Sequence, residues 1–79
     1  MEFEWDETKN VANIAKHGVS FVTASRIFEN PVLTAIDDRR VYGETRENSI
    51  GHVDGVVFLV VTHTERQGRT RIISARPEI

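Results

Sequence analysis

No cysteine occurs among these 79 residues, which excludes a disulfide framework and a thiolate zinc site. Leucine is nearly missing as well. Two Leu stand against ten Val and seven Ile, a skew toward β-branched side chains that favours strands over a helical bundle. The longest apolar run covers residues 56–61, far short of the roughly 20 residues that a membrane-crossing helix needs. The acidic opening Met1-Glu2-Phe3-Glu4-Trp5-Asp6 fits neither a signal peptide nor a transit peptide. A cytoplasmic protein with no membrane partner is expected. Of His17, His52 and His63, no two are spaced i, i+3 or i+4, so neither a metal nor another cofactor is expected. The length suits a single domain over residues 1–79, burying only about 60% of its unfolded surface. With so thin a core, oligomerisation or a bound partner is the support that remains.

Acidic and basic residues are few of one kind in each half. The formal net charge is −2, which looks wrong for a nucleic-acid binder until it is divided by position. Residues 1–38 hold seven acids and three bases, whereas residues 39–79 hold seven bases, all Arg, and five acids. Between Arg66 and Arg76 there are four Arg and no acid. Arg presents a planar fork suited to phosphate, and Lys is the commoner choice for a merely solvated surface. A basic C-terminal half therefore suggests phosphate recognition by Arg66, Arg69, Arg71 and Arg76, with Ser74 beside them.

The pattern along the chain predicts an α+β domain. Phe3 and Trp5 alternate with Glu2 and Glu4 as a short opening strand. Asp6 is a suitable N-cap for a helix over Glu7–His17, with Gly18 just past its end and Val11, Ile14 and Ala15 as an apolar stripe. Ser20 caps a second helix, whose Phe21, Ala24, Ile27 and Phe28 form one face, and Asn30-Pro31 stops it. Strands follow over residues 32–36, 45–53, 56–64 and 69–76. Asp54-Gly55 and Gln67-Gly68 are the turn signals between the last three. The order is β-α-α-β-β-β-β, with a four-stranded, largely antiparallel meander in the second half.

Two-residue loops at both turns set a register. Val53 then opposes Val56, Ile50 opposes Leu59 and Arg46 opposes His63. Across the next hairpin, His63 opposes Ile72, Val61 opposes Ser74 and Leu59 opposes Arg76. One face gathers Arg46, Asn48, His52, His63, Ser74 and Arg76 around a floor of Leu59, Val61 and Ile72. The other gathers Val53, Val56, Phe58, Val60, Ile73 and Ala75, with Gly51 allowing close approach, and the helices are expected to cover it. A one-residue slip in either loop exchanges the faces.

An apolar floor ringed by guanidinium, imidazole and hydroxyl groups suits RNA cleavage. Arg holds the scissile phosphate and stabilises its growing charge, while an acid–base pair moves the 2′-OH proton and protonates the leaving oxygen. Simpler readings stand beside this one. His63 fits a half-buried strand histidine, His52 a solvated rim residue, His17 a cation at a helix end and Glu44 a loop carboxylate.

Several segments in order point to a family. Phe3-Glu4-Trp5-Asp6, Lys9, Asn13, Lys16-His17-Gly18-Val19-Ser20-Phe21, Ala24, Phe28 and Pro31 closely resemble the opening of the BrnT family. Gly43-Glu44-Thr45-Arg46, Ile50-Gly51 and the closing Arg71-Ile72-Ile73-Ser74-Ala75-Arg76 continue the resemblance. It implies a RelE-like fold and a type II toxin, an endoribonuclease that cleaves mRNA and arrests translation. It also implies a hetero-oligomer with a BrnA-type ribbon-helix-helix antitoxin, which carries the complex to operator DNA. By motif, Lys16, His17, Glu44, Arg46 and Arg76 are the candidate catalytic positions, and the hairpin register adds His63. Members of that family usually run on into a charged C-terminal helix, whereas this chain ends at Pro77-Glu78-Ile79. Two functions are therefore open: a metal-independent endoribonuclease, or a weak or inactive module that binds antitoxin and co-represses transcription.

Overall fold

The computed structural model describes residues 1–38, 41, 43–55 and 57–79. Strand β1 (Phe3–Glu4) leads into helix α1 (Glu7–His17) and the short helix α2 (Phe21–Ser25), which tightens into a 3-10 turn over Arg26–Glu29. Strands β2 (Leu33–Asp37), β3 (Arg46–Val53), β4 (Val57–Arg66) and β5 (Arg69–Pro77) complete the chain. They form one sheet in the order β1-β5-β4-β3-β2, antiparallel except where β1 runs parallel to β5. Among the described residues no helix is long and apolar enough to cross a membrane.

Local signals set the helix ends as the sequence predicts. The Asp6 carboxylate accepts from the amides of Thr8 and Lys9 at 2.8 and 3.3 Å, satisfying two of the orphan donors at the start of α1. Gly18 closes the helix at φ 72°, and its N–H donates to the Ile14 carbonyl. The Ser20 hydroxyl caps α2 through the Thr23 amide at 3.1 Å.

The buried face of α1 departs from expectation. Val11 and Ile14 are 61% and 44% exposed, while Asn10 and Asn13 are buried. The reason lies in β5. The two-residue β1 covers only Thr70 and Arg71, so the backbone of β5 beyond them has no strand neighbour on that side. Asn13 fills the place of one. Its Nδ2 donates to the carbonyls of Ala75 and Val19 at 2.8 and 2.9 Å, and its Oδ1 accepts from the Ala75 amide at 3.1 Å. One turn earlier, the Asn10 Oδ1 accepts from the Phe21 amide at 2.9 Å. The helix docks through amide groups rather than through its apolar stripe.

The core lies between α2 and the covered face of the sheet. Val19, Phe21, Ala24 and Ile27 pack on Val53, Leu59, Val61, Ile72 and Ala75, with Phe3, Trp5, Phe28 and Val32 at the margin. Gly51 lies where the 3-10 turn crosses β3. A Cβ there meets Val32 Cγ1 at 2.8 Å and Ile27 Cβ at 3.0 Å, closer than carbon atoms approach without displacement.

Two registers differ from those predicted. Asp54 and Gly55 both take positive φ, 57° and 71°, as a type I′ turn requires. Pairing nevertheless resumes one residue late, with Val53 opposite Val57, Ile50 opposite Val60 and Glu47, not Arg46, opposite His63. The predicted Val53–Val56 pair lies outside the described residues. At the second hairpin the two-residue turn stands, with Arg66 opposite Arg69 and His63 opposite Ile72. A β-bulge then intervenes between Thr62 and His63, so Ser74 pairs with Thr62, Ala75 with Val61 and Arg76 with Val60. The predicted Val61–Ser74 and Leu59–Arg76 pairs do not form.

Two substitutions test these constraints. Asn13→Ala strands two carbonyls and an amide of the buried backbone, so it is expected to cost about 2–4 kcal/mol in urea unfolding. Gly51→Ala is expected to cost about 1–3 kcal/mol by overpacking. Wild-type midpoints for either variant would remove the corresponding constraint.

Candidate active site

The slip and the bulge both displace β4 relative to its neighbours, and together they decide what faces water. Even-numbered residues of β3 share the uncovered face with even-numbered residues of β4, in the pairs Asn48–Thr62, Ile50–Val60 and His52–Phe58. The bulge brings Ser74 and Arg76 of β5 to the same face, opposite Thr62 and Val60. Arg46, Asn48, His52, Ser74 and Arg76 thus share a face, as predicted. His63 does not join them. The predicted floor of Leu59, Val61 and Ile72 belongs to the buried core, and Val60 and Thr62 take its place.

The environment of His63 shows why. The residue is 7% exposed, its Nε2 is 2.7 Å from the Ser49 hydroxyl, and its ring meets Phe28 edge-on at 5.2 Å. Ser49 is in turn bonded to the Thr34 hydroxyl at 2.7 Å. Burial lowers the pKa of this imidazole, against the opposing pull of the Glu47 and Glu65 carboxylates. His63 is a strand histidine on the covered face of the sheet, and it is buried rather than half-buried.

On the uncovered face, the end of α1 meets the sheet. Lys16 and His17 line a groove of about 280 Å³ with Asn48, Val60, Thr62, Ser74 and Arg76. Asn13 holds this helix end against β5, and Gly18 stops it there. The Thr62 hydroxyl donates to Asn48 Oδ1 at 2.6 Å, which leaves the Asn48 NH₂ as a donor for a ligand. Sequence reasoning missed Thr62 and Val60 as groove residues, because their side of the sheet depends on the two register shifts.

Ion pairing separates the arginines. Glu44 bridges Arg46 and Arg66 at 3.4 and 3.1 Å. Glu4 bridges Arg69 and Arg71 at 3.7 and 3.1 Å, and Arg26 pairs with Asp54 at 2.7 Å. Among the described residues Arg76 is the only Arg without a carboxylate partner, and Lys16 beside it has none either. The Arg76 guanidinium has a single 3.3 Å bond to the Pro77 carbonyl. The structure thus brings Lys16, His17, Ser74 and Arg76 together. It sets Glu44 and Arg46 at a separate depression with Ile36, Asp37, Val41, Gly43 and Thr45, and commits Arg66, Arg69 and Arg71 to carboxylates.

Comparison with known proteins bears on this arrangement. Residues 5–78 match the family described as the ribonuclease toxin, BrnT, of the type II toxin-antitoxin system. The chain belongs to the BrnT family. Its fold is similar to the crystal structure of the Brucella abortus ribonuclease toxin BrnT, with a TM-score of 0.73 and 26% sequence identity over 100% of this chain and 97% of that one. No curated protein matches the chain in sequence. Membership in the BrnT family makes this chain the toxin of a toxin–antitoxin pair, for which an antitoxin is the partner. The α+β order read from the sequence is that of the BrnT fold.

The buried imidazole gives a pH prediction. A base whose folded pKa lies below its unfolded value binds its proton more readily in the unfolded chain. His63 therefore supports stability fully above the ordinary histidine value of 6.5, and that support is lost as pH falls from there toward the lowered folded value. Urea unfolding at several pH values between 5 and 8 is expected to show wild type losing more stability on acidification than His63→Gln. Parallel pH profiles for the two would assign the acid sensitivity elsewhere.

Proposed function

We propose that the groove between α1 and β5 is the active site of an endoribonuclease that cleaves mRNA and thereby arrests translation. The observation that carries this reading is the convergence of Lys16 and Arg76, neither paired with a carboxylate, beside the His17 imidazole. Elsewhere on the described surface each arginine is bound by an acid, and here Lys16, His17 and Arg76 face one recess with no carboxylate among its lining residues. Such a recess takes an anion. In a ribonuclease family that anion is the RNA backbone.

The proposed reaction needs no group outside the chain and the RNA. The ribose 2′-oxygen attacks the adjacent phosphorus, its proton passing to a base, and the P–O5′ bond breaks as the leaving oxygen gains a proton. The products are a 2′,3′-cyclic phosphate and a 5′-hydroxyl. An imidazole can both accept and donate a proton near neutral pH, which gives His17 the transfer role. Arg76 and Lys16 hold the non-bridging oxygens, whose charge grows in the transition state. Asn48 and Ser74 supply neutral hydrogen bonds. Glu44 and Arg46 lie outside this set and act on the approach of the substrate. A BrnA-type ribbon-helix-helix antitoxin in the cytoplasm is the proposed neutralising partner, and the complex is the operator-binding species.

Arg76→Ala is expected to lower the rate of RNA cleavage by a factor on the order of 10²–10³. Arg76→Lys should recover little, since a point charge cannot replace a bidentate fork. Arg46→Ala should lose less than Arg76→Ala. Cleavage should persist in EDTA. The assay is fragment release from single-stranded RNA by purified, folded variants, alongside growth on expression without antitoxin. Undiminished cleavage by Arg76→Ala would remove the groove as the active site. Normal growth with intact wild-type protein would favour the non-cleaving, antitoxin-binding module instead.

A further inference from the structure

The uncovered face continues beyond the groove. Its cross-strand pairs run from Asn48–Thr62 through Ile50–Val60 to His52–Phe58, and the last stands about 7 Å past Val60 along the strand. Phe58 is 50% exposed and takes no part in the core. Its ring meets that of His52 with centroids 5.8 Å apart and planes inclined by 61°. The imidazole is fixed in turn, because its Nδ1 accepts from the Gly55 amide at 3.1 Å. The hairpin turn therefore orients the ring and leaves Nε2 to carry its proton outward as a donor.

We propose that Phe58 and His52 form a stacking platform for the base of the nucleotide next to the scissile phosphate. The proposal rests on the reading of the groove as the phosphate site. Single-stranded RNA is gripped where a cation that takes the backbone lies beside an aromatic face that takes a base. Both are present on one surface, in continuous order. Arg76 is paired with Val60, and Phe58 lies two residues further along β4. That interval is comparable with the advance of one nucleotide in an extended strand.

The end of the chain shapes the platform. The Glu78 amide donates to the Phe58 carbonyl at 2.9 Å, and Glu78 lines a shallow recess with Phe58 and Pro77. Its carboxylate repels a phosphate and accepts from the amino group of a base. The platform thus receives the base and leaves the phosphate to Lys16 and Arg76. A protein partner is the other use for an exposed phenyl ring. Continuity with the cationic groove and the oriented imidazole donor favour RNA.

The test is fluorescence anisotropy of the full chain with a labelled single-stranded RNA of mixed sequence. Methylation of each 2′-oxygen removes the attacking hydroxyl, and in a parallel series each base in turn is deleted. Phe58→Ala and Phe58→Leu are expected to weaken binding on the order of tenfold, the loss of one base stack. One abasic position should weaken wild type as much and Phe58→Ala no further, because both remove the same contact. With unmodified RNA, Phe58→Ala should raise KM more than it lowers kcat. If wild type binds RNA and Phe58→Ala binds it equally well, the platform is wrong and the groove stands. Loss of self-association in sedimentation, with RNA affinity unchanged, would assign Phe58 to protein contact and also overturn the platform. RNA binding that is absent in wild type, or insensitive to Arg76→Ala, would overturn the groove reading and the platform with it.

Discussion

The double hydrogen bond between Asn13 and the backbone of Ala75 is the contact on which the arrangement of the groove depends. A strand as short as β1 leaves most of one edge of β5 without a partner, and buried backbone groups left unpaired are costly. One asparagine supplies both the donor and the acceptor that a neighbouring strand would have provided. It thereby fixes the last turn of α1 against the sheet. Lys16 and His17 follow within one turn, and Gly18 reverses the chain before the helix can carry them further. The placement of Lys16 and His17 is thus a consequence of edge protection by an amide.

This contact also explains why the sequence was misleading about α1. Val11, Ile14 and Ala15 have the spacing of a buried stripe, yet the helix is too peripheral to bury it and turns its amides inward. Elsewhere, features governed by neighbouring residues were legible. Asp6, Gly18 and Ser20 mark helix ends, and Gln67-Gly68 sets a two-residue turn, because caps and turns depend on a few adjacent groups. Features governed by the whole sheet were not. The bulge in β5 and the late pairing after Gly55 place Leu59, Val61, Ile72 and Ala75 together against α2 and the 3-10 turn. The late pairing moved β4 to the opposite faces and took Ile72 with it, because Ile72 still pairs with His63; the bulge then returned Ser74 and Arg76 to the predicted face.

The same logic separates two kinds of polar group. Thr34, Ser49 and His63 form a chain of hydrogen bonds that runs inward from the exposed Thr34, and Phe28 closes over the ring. No fully buried side-chain nitrogen or oxygen among the described residues lacks a hydrogen-bond partner, so burial is tolerated. Asn48, Ser74 and Arg76 are partly satisfied and open to water. Motif resemblance alone treated Glu44, Arg46 and Arg76 alike. The ion pairs distinguish them, since Glu44 already has two guanidinium partners and Arg76 has no carboxylate partner among the described residues.

Cations gathered without carboxylates repel one another, and that repulsion works against the fold of a domain with little stability to spare. The surrounding structure shows how the cost is contained. Glu4 and Glu44 each neutralise two arginines, which leaves Arg76 as the one described arginine without a carboxylate partner, with the unpaired Lys16 beside it. The groove is open to solvent, where water screens the repulsion. Beneath it lies the sheet, whose core is closed by Phe21, Ile27, Leu59 and Ile72. An anion entering the groove relieves the repulsion and gains from each cation at once, whereas at the paired arginines it must first displace a carboxylate. Binding is therefore favoured in the groove because the other described arginines are already held by carboxylates.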